Sequence, residues 1–178
     1  MSQEILISNN KSKPIFLCGF MGCGKSTVGR KVASILKCDF VDMDHYIEKS
    51  EGRSVSEIFQ SDGEKYFRDI ETETIKKFKG SSGVIATGGG ALLREENGLA
   101  AKECGIPVFI DTKFSVCYNR IKDDKKRPIA FNSTEAELKE LYDKRKKLYI
   151  KNSLITVNGN IPVIVVAKEI INAVNNLK

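Results

Sequence analysis

Residues 19–26 read Gly19-Phe20-Met21-Gly22-Cys23-Gly24-Lys25-Ser26, a gapless match to G-x-x-x-x-G-K-[ST]. The match follows an apolar run, Ile15 to Cys18, and precedes a helical pattern that starts near Lys25. Strand, glycine loop and helix in that order let backbone N–H groups turn inward around a chain of phosphates, with the positive end of the helix aimed at the same charge. Gly22, Cys23, Gly24, Lys25, Ser26 and Thr27 are therefore the candidate contacts for ATP. Lys25 is expected on the β- and γ-phosphates, Ser26 on Mg²⁺, and Thr27 on a phosphate farther back. Cys23 reads as a small filler rather than a nucleophile.

Outward from the loop, short apolar runs alternate with longer helical patterns. Strands are expected at Ile15 to Cys18, Phe40 to Val41, Gly83 to Ala86, Val108 to Ile110 and Leu154 to Val157. Helices are expected over 25–36, 54–59, 62–79, 94–103, 114–122, 134–151 and 162–174. Five strands separated by helices predict an α/β fold whose parallel sheet is flanked by helices. Ser54 with Glu57, and Thr134 with Glu137, have the spacing of capping boxes. Residues 122–133 are charged, hold a proline and show no periodicity, so they read as a loop.

The chain has 178 residues, a length suited to one domain with one core, and 41% hydrophobic against 29% charged residues argues for a folded rather than a disordered protein. A net charge of +6 favours anionic partners, but the basic residues form no block, so nucleic acid is not expected as a partner. Five cysteines with no C-x-x-C pair, beside a single histidine, speak against a zinc knot. With no apolar leader or membrane-length run, the expectation is a monomeric cytosolic protein with free thiols and no membrane partner.

The loop alone does not choose an acceptor. Asp42 and Asp44 close the second run, where strand alternation would turn both carboxylates into one crevice, one toward a metal water and one toward an attacking hydroxyl. Asp111, at the end of another apolar run, also fits a metal acid. Gly88, Gly89 and Gly90 in succession cost chain entropy that close backbone approach by a ligand would explain. Arg68 has Glu64 and Glu71 within one helical turn on either side, and such neighbours can hold a guanidinium in place. Arg145 stands in YDKRKKLY.

Taken in order, GFMGCGKSTVGR, FVDMDHYIE, GRSVSEIFQSDGEKYFRDIE, TGGGA, KKRPI and YDKRKKLY give the chain a pattern that resembles the shikimate kinase family along nearly its whole length. The most specific piece runs from Asp42 through Glu71. The resemblance implies a P-loop kinase fold with a substrate-binding segment at about 43–73 and a lid at about 122–133, acting on shikimate and ATP with Mg²⁺. It implies that Asp44 binds the acceptor hydroxyls and serves as the base, and that Arg68 and Arg145 grip the carboxylate. Gly89 and Gly90 would contact shikimate through the backbone, Arg127 would reach the ATP phosphates, Asp42 would support Mg²⁺ through water, and Glu71 would steady Arg68.

Asn158 to Asn160 read NGN where many relatives carry a basic residue beside adenine. A kinase of gluconate or of a nucleoside monophosphate is the nearest rival, and DMDHYIE and TGGGA speak against it. A non-catalytic ATP-dependent switch would give no reason for Asp44, Arg68 and Arg145 to occur together.

Overall fold

A computed structural model describes residues 13–124 and 128–177 of the chain. Its centre is a five-stranded sheet built from β1 (Ile15–Cys18), β2 (Phe40–Asp42), β3 (Val84–Ala86), β4 (Ile106–Asp111) and β5 (Ile155–Asn158). The order is β2-β3-β1-β4-β5, and every pairing is parallel. All four residues of β1 are buried, as expected for a central strand covered on both faces. Because β3 and β4 flank β1 on opposite sides, the chain switches direction there, and the crevice beyond the carboxyl ends of the strands opens at that point.

The helices are α1 (Lys25–Leu36), α2 (Met43–Glu51), α3 (Val55–Lys77), α4 (Glu95–Cys104), α5 (Phe114–Ile121), α6 (Pro128–Phe131), α7 (Glu135–Asn152) and α8 (Val163–Asn175), with a 3₁₀ turn at Ala91–Leu93. On α1, Val28, Gly29, Val32 and Ala33 form the buried stripe. A side chain on Gly29 would lie 2.6 Å from the Phe40 ring, so this glycine lets α1 sit close to the edge strand. Both capping boxes form: Ser54 and Thr134 accept from the backbone of Glu57 and Glu137, whose carboxylates accept in return.

Two expectations need correction. Asp42 ends β2 and caps α2, so Asp44 lies in the first turn of a helix rather than on a strand. The helices expected at 54–59 and 62–79 need none: both are present, joined within α3 across a non-helical break at Gly63 (φ 80°, ψ 172°). The segment read as a loop at 122–133 contains α6, while residues 125–127, Arg127 among them, lie outside the described residues.

Candidate active site

The phosphate loop leaves β1 with Gly22 at φ 80° and Gly24 at φ 101°, backbone angles that L side chains rarely adopt. Gly24 then caps α1, whose first turn carries Lys25, Ser26 and Thr27. The Lys25 ammonium folds back on the loop and donates to the carbonyls of Gly19 (2.8 Å) and Phe20 (3.3 Å). The buried Cys23 side chain lies where a β-carbon on Gly19 would fall, which fits packing rather than chemistry.

Asp42 joins this loop to α2. Its Oδ2 accepts from the Ser26 hydroxyl at 3.1 Å, and its Oδ1 caps the helix from the His45 N–H at 3.5 Å. Asp111, the other acid at a strand end, is held elsewhere: Lys146 donates to both of its oxygens at 2.8 Å. Among the described residues no group of three or more His, Cys, Asp or Glu side chains is arranged to hold a metal ion by itself. The hydroxyl and carboxylate of Ser26 and Asp42 are hard oxygen donors that suit Mg²⁺, which keeps much of its shell for water and phosphate.

Two cavities meet at this end of the sheet. The first, about 580 Å³, holds Gly22 to Thr27, Asp42, Arg120 and Ile161 among its walls. The second, about 220 Å³, is walled by Phe59, Phe67, Arg68, Glu71, Gly90 and Arg145, with Ile129 of α6. Asp44, Gly88 and Gly89 belong to both. The Asp44 carboxyl therefore stands on the seam between a phosphate-binding space and a smaller space flanked by two arginines.

Arg68 is braced as its neighbours suggested: Glu71 accepts at 2.8 Å and Glu64 at 3.0 Å. Gly90 gives its guanidinium room, since a β-carbon there would come within 2.5 Å of it. Arg145, on α7, brings its Nη1 to 4.0 Å from the corresponding point on Gly89, and its buried Nε has no hydrogen-bond partner among the described residues. Burial raises the Asp44 carboxyl above its ordinary range; the Asp42 charge adds to the rise, and Lys25 opposes it. Burial likewise pushes Glu71 up to about 7, with Arg68 pulling the other way.

The sequence reading missed one role and one contributor. Gly88, singled out with Gly89 and Gly90 for close approach by a ligand, also makes room for the Asp44 carboxyl. Arg120 donates to the Gly22 carbonyl at 2.8 Å from α5, a contact across 98 residues that carries no local signal. The NGN turn is closed on itself: Asn160 donates to Asn158 Oδ1 at 2.8 Å and to the Asp111 carbonyl at 3.2 Å.

The family model described as shikimate kinase matches residues 21–175. The chain belongs to the shikimate kinase family. Its members are ATP-dependent kinases that act on a hydroxyl of shikimate. A shikimate kinase from Persephonella marina is 43% identical over 150 residues, covering 83% of this chain and 91% of that one. The structure of shikimate kinase from Acinetobacter baumannii in complex with shikimate superposes with a TM-score of 0.84 at 33% identity, covering 94% of this chain and 95% of that one. For the Aquifex aeolicus enzyme the TM-score is 0.80 at 40% identity, with 92% and 97% covered. Among the described residues no helix is long and apolar enough to cross a membrane.

Proposed function

We propose that the chain transfers the γ-phosphoryl group of ATP to the 3-hydroxyl of shikimate, with ATP in the larger cavity and shikimate in the smaller. The observation that carries this reading is the place of Asp44 on the seam, with Arg68 and Arg145 walling the smaller cavity beyond it.

In this reading the two guanidinium groups hold the carboxylate, each able to make a two-point contact that lysine cannot reproduce. Gly89 and Gly90 meet the ring through their backbone. The 3-hydroxyl oxygen then faces the γ-phosphorus in line with the bond to the β,γ-bridging oxygen. As the new O–P bond forms that bond breaks, ADP departs, and the hydroxyl proton passes to Asp44. A carboxyl with a raised pKa is the better proton acceptor, although it must be ionised to act, and Lys25 at the loop favours that state. Lys25 neutralises charge on the transferred group, and Arg127 in the 122–133 lid is assigned the same task. Mg²⁺, held through Ser26 and by water on Asp42, would supply further neutralisation of the phosphate oxygens. The substrate-binding segment is 43–73, and the whole chain acts as one domain and as a monomer in the cytosol.

The test is ADP release from Mg-ATP with shikimate, gluconate and a nucleoside monophosphate offered separately. Turnover with shikimate alone is expected. A higher rate with either other acceptor would overturn the assignment.

A further inference from the structure

Each arginine of the smaller cavity is followed one helical turn later by a hydrogen-bonding side chain that ties its helix to the glycine segment or to the 3₁₀ turn that follows it. On α3, Thr72 stands four residues after Arg68 and donates to Asn97 Oδ1 at 2.5 Å, and Asn97 donates to the Ala91 carbonyl at 2.7 Å. On α7, Tyr149 stands four residues after Arg145, and its hydroxyl donates to the Gly89 carbonyl at 2.5 Å with no intermediary. Residues four apart share a helix face, so a guanidinium and its tie point the same way.

Tyr149 is the more direct of the two ties. The residue is 1% exposed, and this burial on all sides leaves the hydroxyl little freedom to choose another acceptor; its ring also stacks on Phe109 at 5.3 Å. Burial lifts its pKa far above the ordinary tyrosine value, the Arg145 charge only partly opposing this, so the group remains a donor at any working pH. The bond has a geometric consequence beyond the carbonyl it meets. The Gly89 C=O and the Gly90 N–H belong to one planar trans peptide and point in opposite directions. Fixing the carbonyl toward Tyr149 thus aims the Gly90 N–H to the other side.

We propose that Tyr149 is a positioning residue for the acceptor: its hydroxyl locks the Gly89–Gly90 peptide at a set distance and orientation from Arg145, so that carboxylate grip and backbone contact act as one rigid unit. The proposal rests on reading Arg145, Gly89 and Gly90 as acceptor contacts. Nothing in the amino-acid pattern indicates this bond, which joins residues 60 positions apart.

Tyr149→Phe keeps the ring and its stack and deletes only the hydroxyl. Steady-state kinetics of this variant should show a rise in the KM for shikimate on the order of tenfold, with the KM for ATP within about twofold of the parent and kcat changed less than the shikimate KM. Thermal unfolding is measured alongside. If the two KM values move together, or neither moves while the melting temperature falls, the tyrosine is merely structural and the proposal is overturned. Phe109→Leu removes the stack and leaves the hydroxyl, so it should lower stability without splitting the KM values; an equal split would assign the effect to packing and also overturn the proposal. Arg145→Ala separates the two layers of the argument. If it leaves the shikimate KM unchanged, the acceptor reading fails and the proposal falls with it. If it raises that KM and Tyr149→Phe does not, the tyrosine's role alone is lost.

Discussion

Asp44 Oδ1 and Glu71 Oε1, which have no hydrogen-bond partner among the described residues, converge on one spot, the place that a β-carbon on Gly88 would take: Asp44 Oδ1 lies 2.5 Å from it and Glu71 Oε1 3.2 Å. The two carboxyls come from different helices, α2 and α3, and only a residue without a side chain lets them share the corner with the glycine segment. Space rather than backbone angle sets this requirement, because Gly88 is not among the glycines with positive φ.

Gly88→Ala should accordingly displace the tip of Asp44 while leaving the helices in place. We expect a melting temperature close to that of the parent and a kcat lower on the order of 100-fold, the scale of a misplaced general base. Steady-state rates beside a thermal melt check this. A well-folded variant with unchanged kcat would mean that the position of Asp44 is not required.

Gly90→Ala acts on the neighbouring group. Its methyl would press on the Arg68 guanidinium, whose three nearest atoms lie 2.5, 2.7 and 2.8 Å from it. The KM for shikimate should rise on the order of tenfold, with that for ATP little changed, and Arg68→Lys should do the same by removing the planar fork. Equal shifts in both KM values would argue against a carboxylate clamp.

Glu71 gives the fold a pH dependence of defined sign. Burial raises its carboxyl from 4.5 to about 7, so the folded chain keeps a proton that the unfolded chain has released. Its contribution is most favourable below the unfolded value and is lost as pH climbs through the folded one. The loss is on the order of 3 kcal/mol once both states are ionised. Glu71→Gln removes the titration. In urea unfolding, the stability of the parent relative to this variant should decline between roughly pH 5 and 8. A constant difference would show that the buried carboxyl does not titrate there.

Asp42 links Ser26 to the start of α2 through its 3.1 Å bond. Asp42→Asn should raise the Mg²⁺ needed for half-maximal rate by roughly tenfold while the shikimate KM holds, as for outer-shell partners of metals generally. Chelation of divalent ions should stop turnover, and added Mg²⁺ should restore it. A variant with the Mg²⁺ requirement of the parent would free Asp42 from that role.

The sequence disclosed what depends on local chemistry. The strand at 15–18 and the helix at 25–36 matched the observed bounds, since an apolar run, a glycine loop and an αL stop at Lys37 act within one stretch of chain. The helix at 43–51 was legible too, had Asp42 been taken as its cap and Gly52, at φ 65°, as its stop; reading Asp42 and Asp44 as strand neighbours hid it. The break between the helices at 54–59 and 62–79 was legible as well, and it falls at Gly63, whose backbone angles are not helical. The ties through Asn97, Tyr149 and Arg120 were beyond reach. Each joins a side chain to a polar group far away in sequence, and only the assembled sheet brings the partners together.

The proposal that Arg68 and Arg145 grip one carboxylate is tested most directly by comparing kcat/KM for shikimate and for its carboxamide, which has the same hydroxyls and no charge. In the parent the amide should be poorer on the order of 1000-fold, and in an Arg68→Ala, Arg145→Ala double variant the two acceptors should be nearly equivalent. A parent enzyme that turns over acid and amide alike would contradict the account.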